Sequence, residues 1–246
     1  MIDRILPGMG IRSNVGTMGA CAVTMIVDGG NRILVDVGHF GNRDAMLSAM
    51  TSRGLKPEDI DIVVLTHIHW DHCLNVDLFE KSKILVGAEE FEKGNLTGYN
   101  DHHVENFRTM IKSMQFGKIG DGFQVSEHVK TLLTPGHSVG HISLSVQEQD
   151  GLAIISGDAI PNLRAYRRGI PDLIFHDFDE AKKSVRRIKD LKPAKIIPGH
   201  DGPFNDAGYL SRDDLNLIFR TEKEENLIVG LRNVVADKPE VLISSS

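Results

Sequence analysis

The sequence contains few cysteines and no long apolar run. Only Cys21 and Cys73 occur among 246 residues, too few for a disulfide framework, which fits a reducing compartment. We expect both to be small buried apolar residues. The fifteen uncharged residues between Arg12 and Asp28 include asparagine and glycine, and a membrane span needs about 18 apolar residues. The first ten residues lack the apolar region of a secretory leader. We therefore expect a cytoplasmic protein without a membrane span.

An excess of positive charge is also missing. The sequence has 28 lysines and arginines against 34 aspartates and glutamates, a formal charge of -6. This balance argues against a protein that binds nucleic acid over its whole surface, although a local basic patch stays open. Internal repeats and proline- or serine-rich linkers are missing too, so we expect one domain over residues 1–246.

Apolar patterns predict both strands and helices. Residues 21–27 and 32–37 are apolar strands around the turn sequence Asp28-Gly29-Gly30-Asn31, and together they predict a hairpin. Apolar residues at helical spacing predict helices near residues 42–54, 104–114, 181–191 and 221–234. The last of these would cover the end of the fold.

Histidine is plentiful, and its placement is informative. Of eleven histidines, three fall in the segment His67-Ile68-His69-Trp70-Asp71-His72, directly after a predicted buried strand. Three further predicted strands lead into His137, Asp158 and His200. A single histidine at a strand end is usually an ordinary hydrogen-bonded residue. Four strand ends that all deliver imidazoles or carboxylates instead predict a metal site.

The spacing suggests how these residues share two ions. Alternation along an extended segment places His67 and His69 on the same side, and His137 completes three nitrogen ligands with a fourth position open for water. The expected second group is Asp71, His72 and His200. Asp158, with two carboxylate oxygens, is the expected bridge.

These motifs resemble those of the metallo-β-lactamase superfamily. The segment Thr66 to His72 is similar to its HxHxDH signature, and Thr134-Pro135-Gly136-His137-Ser138, Ser156-Gly157-Asp158 and Pro198-Gly199-His200 are similar to its later motifs. The resemblance covers nearly the whole chain. It implies an α+β fold, a four-layer αββα sandwich with the metals at one edge of two facing sheets.

The resemblance is less specific for substrate, because this fold hosts many chemistries. The commonest zinc β-lactamases carry cysteine where Asp158 stands, which argues against that activity. Acyl-homoserine lactonases resemble residues 134–144 closely, but their tyrosine three positions after the bridging aspartate is Pro161 here.

The expected chemistry is hydrolysis by a hydroxide that bridges two divalent ions. Asp71 and Asp158 are the expected catalytic residues: Asp158 holds the shared water, and Asp71 passes a proton to the leaving group. Zinc suits the imidazole-rich site best, while the two carboxylates also suit iron or manganese. Asp36, Ser138, His141 and Ser156 are candidates for hydrogen bonds that orient the ligands, or for ordinary strand-end bonding.

The segment Arg164-Ala165-Tyr166-Arg167-Arg168 follows Asp158 closely. Arg164, Tyr166, Arg167 and Arg168 could bind a carboxylate or phosphate of the substrate. A solvated loop is the alternative interpretation.

Three functions remain open from the sequence. The leading hypothesis is a binuclear hydrolase that acts on a small ester, lactone or thioester, whose substrate is anionic if the arginines bind it. The second is a phosphodiesterase or ribonuclease, which the arginines favour and the net charge of -6 opposes. The third is a non-hydrolytic iron oxidoreductase, which the complete histidine set and the lack of a flavin domain make the weaker hypothesis. The sequence does not indicate an oligomeric state.

Overall fold

The computed structural model describes most of the chain. The described residues are 1–13, 16–17, 19–94, 102–211, 216–220, 226–230 and 240–241. None of the helices in these ranges has the length and apolar character needed to span a bilayer.

The described strands are short and are numbered in chain order. They are β1 (Ile2–Leu6), β2 (Arg12–Ser13), β3 (Gly16–Thr17), β4 (Val23–Asp28), β5 (Asn31–Val35), β6 (Ile62–Leu65), β7 (Lys83–Gly87), β8 (Phe116–Ile119), β9 (Gln124–Ser126), β10 (Val129–Leu133), β11 (Ile142–Glu148), β12 (Gly151–Gly157), β13 (Leu173–Ile174), β14 (Lys195–Pro198), β15 (Phe204–Asn205), β16 (Gly208–Tyr209), β17 (Asn216–Arg220), β18 (Asn226–Gly230) and β19 (Glu240–Val241).

The described helices vary from one turn to more than three. They are α1 (Arg43–Thr51), α2 (Trp70–Cys73), α3 (Ala88–Lys93), α4 (His102–Ile111), α5 (Leu163–Arg168) and α6 (Phe178–Asp190), with 3₁₀ turns at Phe40–Asn42, Pro57–Asp59 and Val76–Phe79. The predicted helices near residues 42–54, 104–114 and 181–191 are confirmed as α1, α4 and α6. Asp177 caps α6 by accepting a hydrogen bond from the Glu180 N–H.

Two large sheets form the centre of the molecule. The first has the strand order β1-β4-β5-β6-β7-β8, and the second has the order β16-β15-β14-β12-β11-β10-β9. The predicted hairpin is confirmed as β4 and β5, which pair antiparallel from Thr24 opposite Val35 to Asp28 opposite Asn31. From β5 to β8 the strands of the first sheet run parallel.

Alternating side chains of single strands enter different layers. In β6, Val63 packs in the cluster that contains α1 and α4 residues, whereas its neighbour Val64 packs in the cluster between the sheets. In β12, Ile155 points to that same central cluster, and Ile154 packs with Val185 of α6. Because successive side chains leave a strand on opposite faces, each sheet is buried on both sides. The result is the predicted four-layer αββα sandwich.

The predicted C-terminal helix is wrong where the structure describes it. Residues 226–230 form β18, which pairs antiparallel with β17. The run Leu227-Ile228-Val229 is apolar and partly β-branched, which favours a strand once a partner of the same kind, Leu217-Ile218-Phe219, is available. Residues 221–225 and 231–234 of that prediction lie outside the described residues.

Candidate metal centre

Five strand ends converge at one edge of the sandwich. In the first sheet, the parallel strands β5 and β6 lead into Asp36 and His67. In the second sheet, β10, β12 and β14 all run in one direction, so His137, Asp158 and His200 follow at the same edge. The two edges are joined by hydrogen bonding, since the N–H at the start of β11 donates to the Thr66 carbonyl at 2.9 Å. Shared strand direction within each sheet and the contact between the two sheets therefore gather polar side chains from distant parts of the chain.

A first group consists of three buried histidines whose ring nitrogens face one another. Nε2 of His67 lies 2.9 Å from Nδ1 of His69, and Nε2 of His137 lies 3.0 Å from the same atom. These nitrogens lie close enough for one metal ion to touch all three. The structure thus brings together the first predicted ligand set.

A second group lies beside the first and contains carboxylates. Nε2 of His200 lies 3.4 Å from Oδ2 of Asp71, and Nε2 of His72 lies 3.8 Å from it. The three residues form a second cluster able to hold an ion. This is the second predicted ligand set.

Asp158 lies between the two groups and turns one oxygen toward each. Its Oδ2 lies 3.4 Å from Nε2 of His137 in the first group. Its Oδ1 lies 3.2 Å from Nε2 of His200 and 3.5 Å from Nε2 of His72 in the second. A carboxylate in this orientation can serve as a ligand to two neighbouring ions.

In four of these histidines, the ring nitrogen that points away from the centre, Nδ1, is hydrogen-bonded to an oxygen atom. Nδ1 of His137 donates to the Leu173 carbonyl at 2.9 Å, and Nδ1 of His200 donates to the Ala20 carbonyl at 3.1 Å. Nδ1 of His72 donates to the Asp36 carboxylate at 2.8 Å. These bonds place a proton on Nδ1 and turn Nε2 toward the centre, which is the orientation typical of metal-ligating histidine.

His67 is oriented through a hydroxyl. The Thr66 hydroxyl donates to Asp36 at 2.8 Å and accepts from Nδ1 of His67 at 3.0 Å. Asp36 also accepts from the Thr66 N–H at 2.8 Å. The buried Asp36 carboxylate therefore orients His72 of the second group directly and His67 of the first group through Thr66.

In the first group, burial favours the neutral form of His67 and of His137. Burial lowers the pKa of His67 well below its ordinary value, and the neighbouring imidazoles of His72, His69 and His137 lower it further. Burial also lowers the pKa of His137, although Asp158 opposes this effect. Neutral imidazole is the form that binds metal.

In the second group, carboxylates outweigh burial and raise the pKa of the imidazoles of His72 and His200. Burial acts to lower the pKa of His72, but Asp36, Asp71 and Asp158 outweigh it and raise the pKa to about 9. Burial opposes the same change at His200, where Asp158 and Asp71 raise the pKa to about 10. The carboxylates thus favour positive charge among them. A divalent ion bound here would supply that charge in place of the protons.

The donor set fits a pair of divalent ions. Nε2 of His72 and Oδ1 of Asp158 are buried, and neither makes a hydrogen bond to the part of the chain that the structure describes. Such atoms are costly to bury unless something else binds them. Imidazole nitrogens with a few carboxylate oxygens suit zinc, iron or manganese.

The four candidate supporting residues have different roles. Asp36 orients ligands as described above, at a φ of 57° that is unusual for a non-glycine residue. Nε2 of His141 accepts the Asp158 N–H at 3.1 Å, while its Nδ1 lies 2.9 Å from the Thr134 hydroxyl. Ser156 donates to the Ile160 carbonyl, which is ordinary loop bonding. Ser138 contacts Glu90, a buried residue that the sequence analysis did not single out.

The arginine segment is helical rather than a loop. It forms α5, and Gly169 ends it in a left-handed conformation. Nη2 of Arg164 and Nη2 of Arg168 both donate to Asp172, at 2.6 and 2.8 Å. The Tyr166 hydroxyl donates to Asp206. Arg167 is exposed. Three of the four predicted substrate contacts therefore have partners within the protein, and substrate binding by this segment stays a prediction.

The two cysteines are free and buried, as predicted. Cys21 also lies near Asp36 and His72, close enough to share an ion with them. Burial raises the pKa of both thiols well above the ordinary value, and nearby carboxylates raise it further. The raised pKa keeps the thiols protonated, which disfavours either as a nucleophile.

Comparison with known proteins identifies relatives of the whole site region. The family model of the metallo-beta-lactamase superfamily matches residues 16–200. A beta-lactamase-like protein 2 homolog of Caenorhabditis elegans is 30% identical over 213 residues, which cover 83% of this chain and 63% of that protein. An N-acyl homoserine lactonase of Bacillus cereus is 28% identical over 163 residues, or 64% of this chain and 62% of the lactonase. The chain thus spans less than two thirds of either relative's length.

A solved structure shows the same fold. The crystal structure of a quorum-quenching N-acyl homoserine lactone lactonase superposes with a TM-score of 0.65 at 21% identity, over 81% of this chain and 90% of that one. At this identity the similarity concerns the fold alone.

Proposed function

The chain belongs to the metallo-beta-lactamase superfamily, and on that basis we propose that it is a metal-dependent hydrolase. It holds two divalent ions, with zinc the first expectation, and cleaves a small ester, lactone or thioester. Hydrolases and lactonases among its relatives support this assignment by name. What carries it in this chain is the geometry of the centre.

The single strongest observation is the direction of the ring nitrogens. In His67, His72, His137 and His200, Nδ1 is bonded to an oxygen acceptor and Nε2 faces the centre. Nε2 of His67 and Nε2 of His137 both point at one nitrogen of His69, and Nε2 of His72 makes no hydrogen bond within the described residues. This convergence of imidazole nitrogens supports a metal ion as their shared partner.

His67, His69 and His137 would hold the first ion, Asp71, His72 and His200 the second, and Asp158 both. When bound, such ions polarise the attacked oxygen and lower the pKa of water toward about 7. Asp71 lies at the rim of the centre with 13% of its side chain exposed, so it can pass a proton between the site and the leaving group. His141 and Asp36 hold Asp158 and two histidines in place.

Apolar side chains beside the centre favour a neutral substrate. The Phe175 ring packs edge-on against His69 and His137, with ring centroids 4.8 and 5.3 Å apart. The half-buried Trp70 packs against His39 at 4.9 Å. Because Arg164 and Arg168 pair with Asp172, an acyl group or hydrocarbon ring suits these surroundings better than a phosphate. This favours esters and lactones over phosphodiesters.

Elemental analysis combined with a substrate panel tests the proposal. Protein purified without chelator should contain two divalent ions per chain and hydrolyse lactones or esters. A stoichiometry fixed at one after reconstitution with excess zinc, iron or manganese would reject the binuclear assignment. Turnover of phosphodiesters alone would favour the phosphodiesterase hypothesis. Visible absorption of redox-active iron without hydrolysis would favour the oxidoreductase.

A further inference from the structure

Glu90 is a fully buried carboxylate beneath the first histidine group. It lies in α3 with a side chain 1% exposed. No lysine or arginine in the described ranges forms an ion pair with it, and its hydrogen bonds come from uncharged donors. Burying a carboxylate whose hydrogen-bond donors are all uncharged is costly. A carboxylate that is buried despite this cost in stability is a candidate for a functional role.

The hydrogen bonds of Glu90 reach both loops that carry the first group. Oε1 accepts the N–H of Ile68, the residue between His67 and His69, at 3.2 Å. Oε2 accepts the hydroxyl of Ser138, the residue after His137, at 2.8 Å. Oε2 also accepts the N–H of Gly140 at 2.8 Å. The two loops are about seventy residues apart in the chain, and this side chain joins them.

The backbone is shaped for this contact. A Cβ at Gly140 would lie 2.0 Å from the Glu90 nitrogen, and a Cβ at Gly87 would lie 2.2 Å from the Gly140 oxygen. Both distances are impossible for real side chains, so glycine is required where the His137 loop meets the start of α3. The close approach places the loop amide within reach of the carboxylate.

We propose that Glu90 is a positioning residue for the first metal group, because its two oxygens hold the His67–His69 loop and the His137 loop at a fixed separation. The inference rests on the proposed function, since it assigns these histidines to one ion. Hydrogen-bonding partners that orient ligands typically change metal affinity by about 10- to 100-fold when removed.

Glu90→Gln tests this role with little change in shape. A glutamine has one acceptor oxygen, so its amide group must face the donors of one loop and that loop is released. In the His200→Gln background, which weakens the second group, we expect cobalt(II) affinity to fall by about tenfold or more. The cobalt absorption spectrum should change as well, because the nitrogen ligands are displaced. Glu89→Gln is the matched control, since Glu89 is exposed on the same helix and pairs with Lys93.

Hydrogen exchange supplies a readout that needs no metal. In metal-free Glu90→Gln protein, the amides of Ile68 or Gly140 should exchange at least about tenfold faster, while amides of the β4–β5 hairpin stay unchanged. If Glu90→Gln does not fold, Ser138→Ala replaces it. That variant removes one of three donors and should give a smaller loss of affinity in the same direction.

The outcomes separate this inference from the proposed function. Wild-type cobalt affinity with unchanged exchange at both amides would overturn the positioning role. Lower thermal stability with unchanged affinity and spectrum would also overturn it, since Glu90 would then support the fold alone. Failure of the wild-type protein to bind any divalent ion would instead overturn the proposed function, and the exchange experiment would still test the link between the two loops.

Discussion

The two ligand groups are built from different surroundings. In the first, His67 and His137 are oriented by a hydroxyl and a carbonyl, and burial lowers the pKa of both. In the second, carboxylates surround His72 and His200 and raise their pKa values to about 9 and about 10. His67 and His137 of the first group therefore present neutral imidazoles, whereas the second group concentrates negative charge.

If the proposed function is right, this difference gives one edge of the sandwich two unlike positions for similar ions. Uncharged oxygen acceptors fix the direction of an imidazole without raising its basicity much. In the second group, the Asp36 carboxylate fixes the direction of His72, and the carboxylates around His72 and His200 add Coulombic attraction for a cation. Asp158 contacts both groups through its two oxygens. Substitutions can therefore be chosen to damage both groups, one group or neither.

Asp158→Asn should have the largest effect, because it damages both groups. The amide removes the bridging charge and leaves one oxygen for two ions. We expect metal content to fall from two ions to at most one, and kcat/KM to fall by more than about 100-fold, since even residues that only support a ligand cost about 10- to 100-fold. Elemental analysis and steady-state kinetics on a lactone measure both. Asp150→Asn, an exposed position in the turn after β11, is the matched control. Retention of both ions with full activity would refute the bridging role.

Asp36→Asn should weaken metal binding by the second group more than by the first. Asparagine can keep its oxygen toward the Thr66 N–H, which places its amide against Nδ1 of His72. That imidazole must then carry its proton on Nε2, where it blocks the ion. We expect about 10- to 100-fold weaker binding of the second ion and a smaller change for the first. Chelator competition measures the two affinities, with the exposed Asp44→Asn as control. Equal weakening of both ions would contradict the difference described between the groups.

The arginines of α5 test whether a third region contributes to the centre. Nη2 of Arg168 donates to the carbonyls of Ile170 and Pro171 and to Asp172. Arg168→Gln should therefore lower the free energy of unfolding by about 1–2 kcal/mol. Arg167→Gln should leave it within about 0.5 kcal/mol. Denaturant unfolding measures both.

The same variants test substrate charge. If Arg167 binds an anionic substrate, Arg167→Gln should raise KM for acidic esters relative to neutral ones. An unchanged ratio between the KM values for acidic and neutral esters would indicate that α5 has only a structural role. The pairing of Arg164 and Arg168 with Asp172 favours that result.

The smallest effect is expected at the opposite edge, far from both groups. Asp28 is the last residue of β4. It accepts hydrogen bonds from the Ser126 hydroxyl and from the main chain and ring of His128, and these bonds join the two sheets. Burial opposes the change, but these donors outweigh it and lower the pKa of Asp28. A lowered pKa in the folded state contributes stability above the unfolded value of about 3.9. That contribution is lost as the pH falls through the folded value.

Asp28→Asn should therefore flatten the loss of stability below about pH 4, by less than about 1 kcal/mol. Urea unfolding at pH 3 and pH 7 measures the difference, and metal content at pH 7 should not change. A variant whose metal content falls would show that the two edges are coupled.

Much of the architecture could be predicted because it depends on local pattern. The hairpin follows from two apolar strands around Asp28-Gly29-Gly30-Asn31, and the ligand motifs follow strand ends that carry recognisable apolar runs. The C-terminal helix was predicted wrongly, because residues 226–230 suit both a helical face and a strand. The antiparallel partner at residues 216–220 decides between them, and a partner is not visible in a local pattern.

The sequence by itself determined the inventory of the centre: which imidazoles and carboxylates follow strands, and in what order. Only the tertiary structure decided their relations. The orientation of the two Asp158 oxygens, the carboxylate of Asp36 behind Thr66 and His72, and the reach of Glu90 to two loops each depend on segments distant in the chain. The pairing of Arg164 and Arg168 with Asp172 is another such relation. The sequence specifies the chemistry of each side chain, but its hydrogen-bond partners depend on which backbone segments pack together.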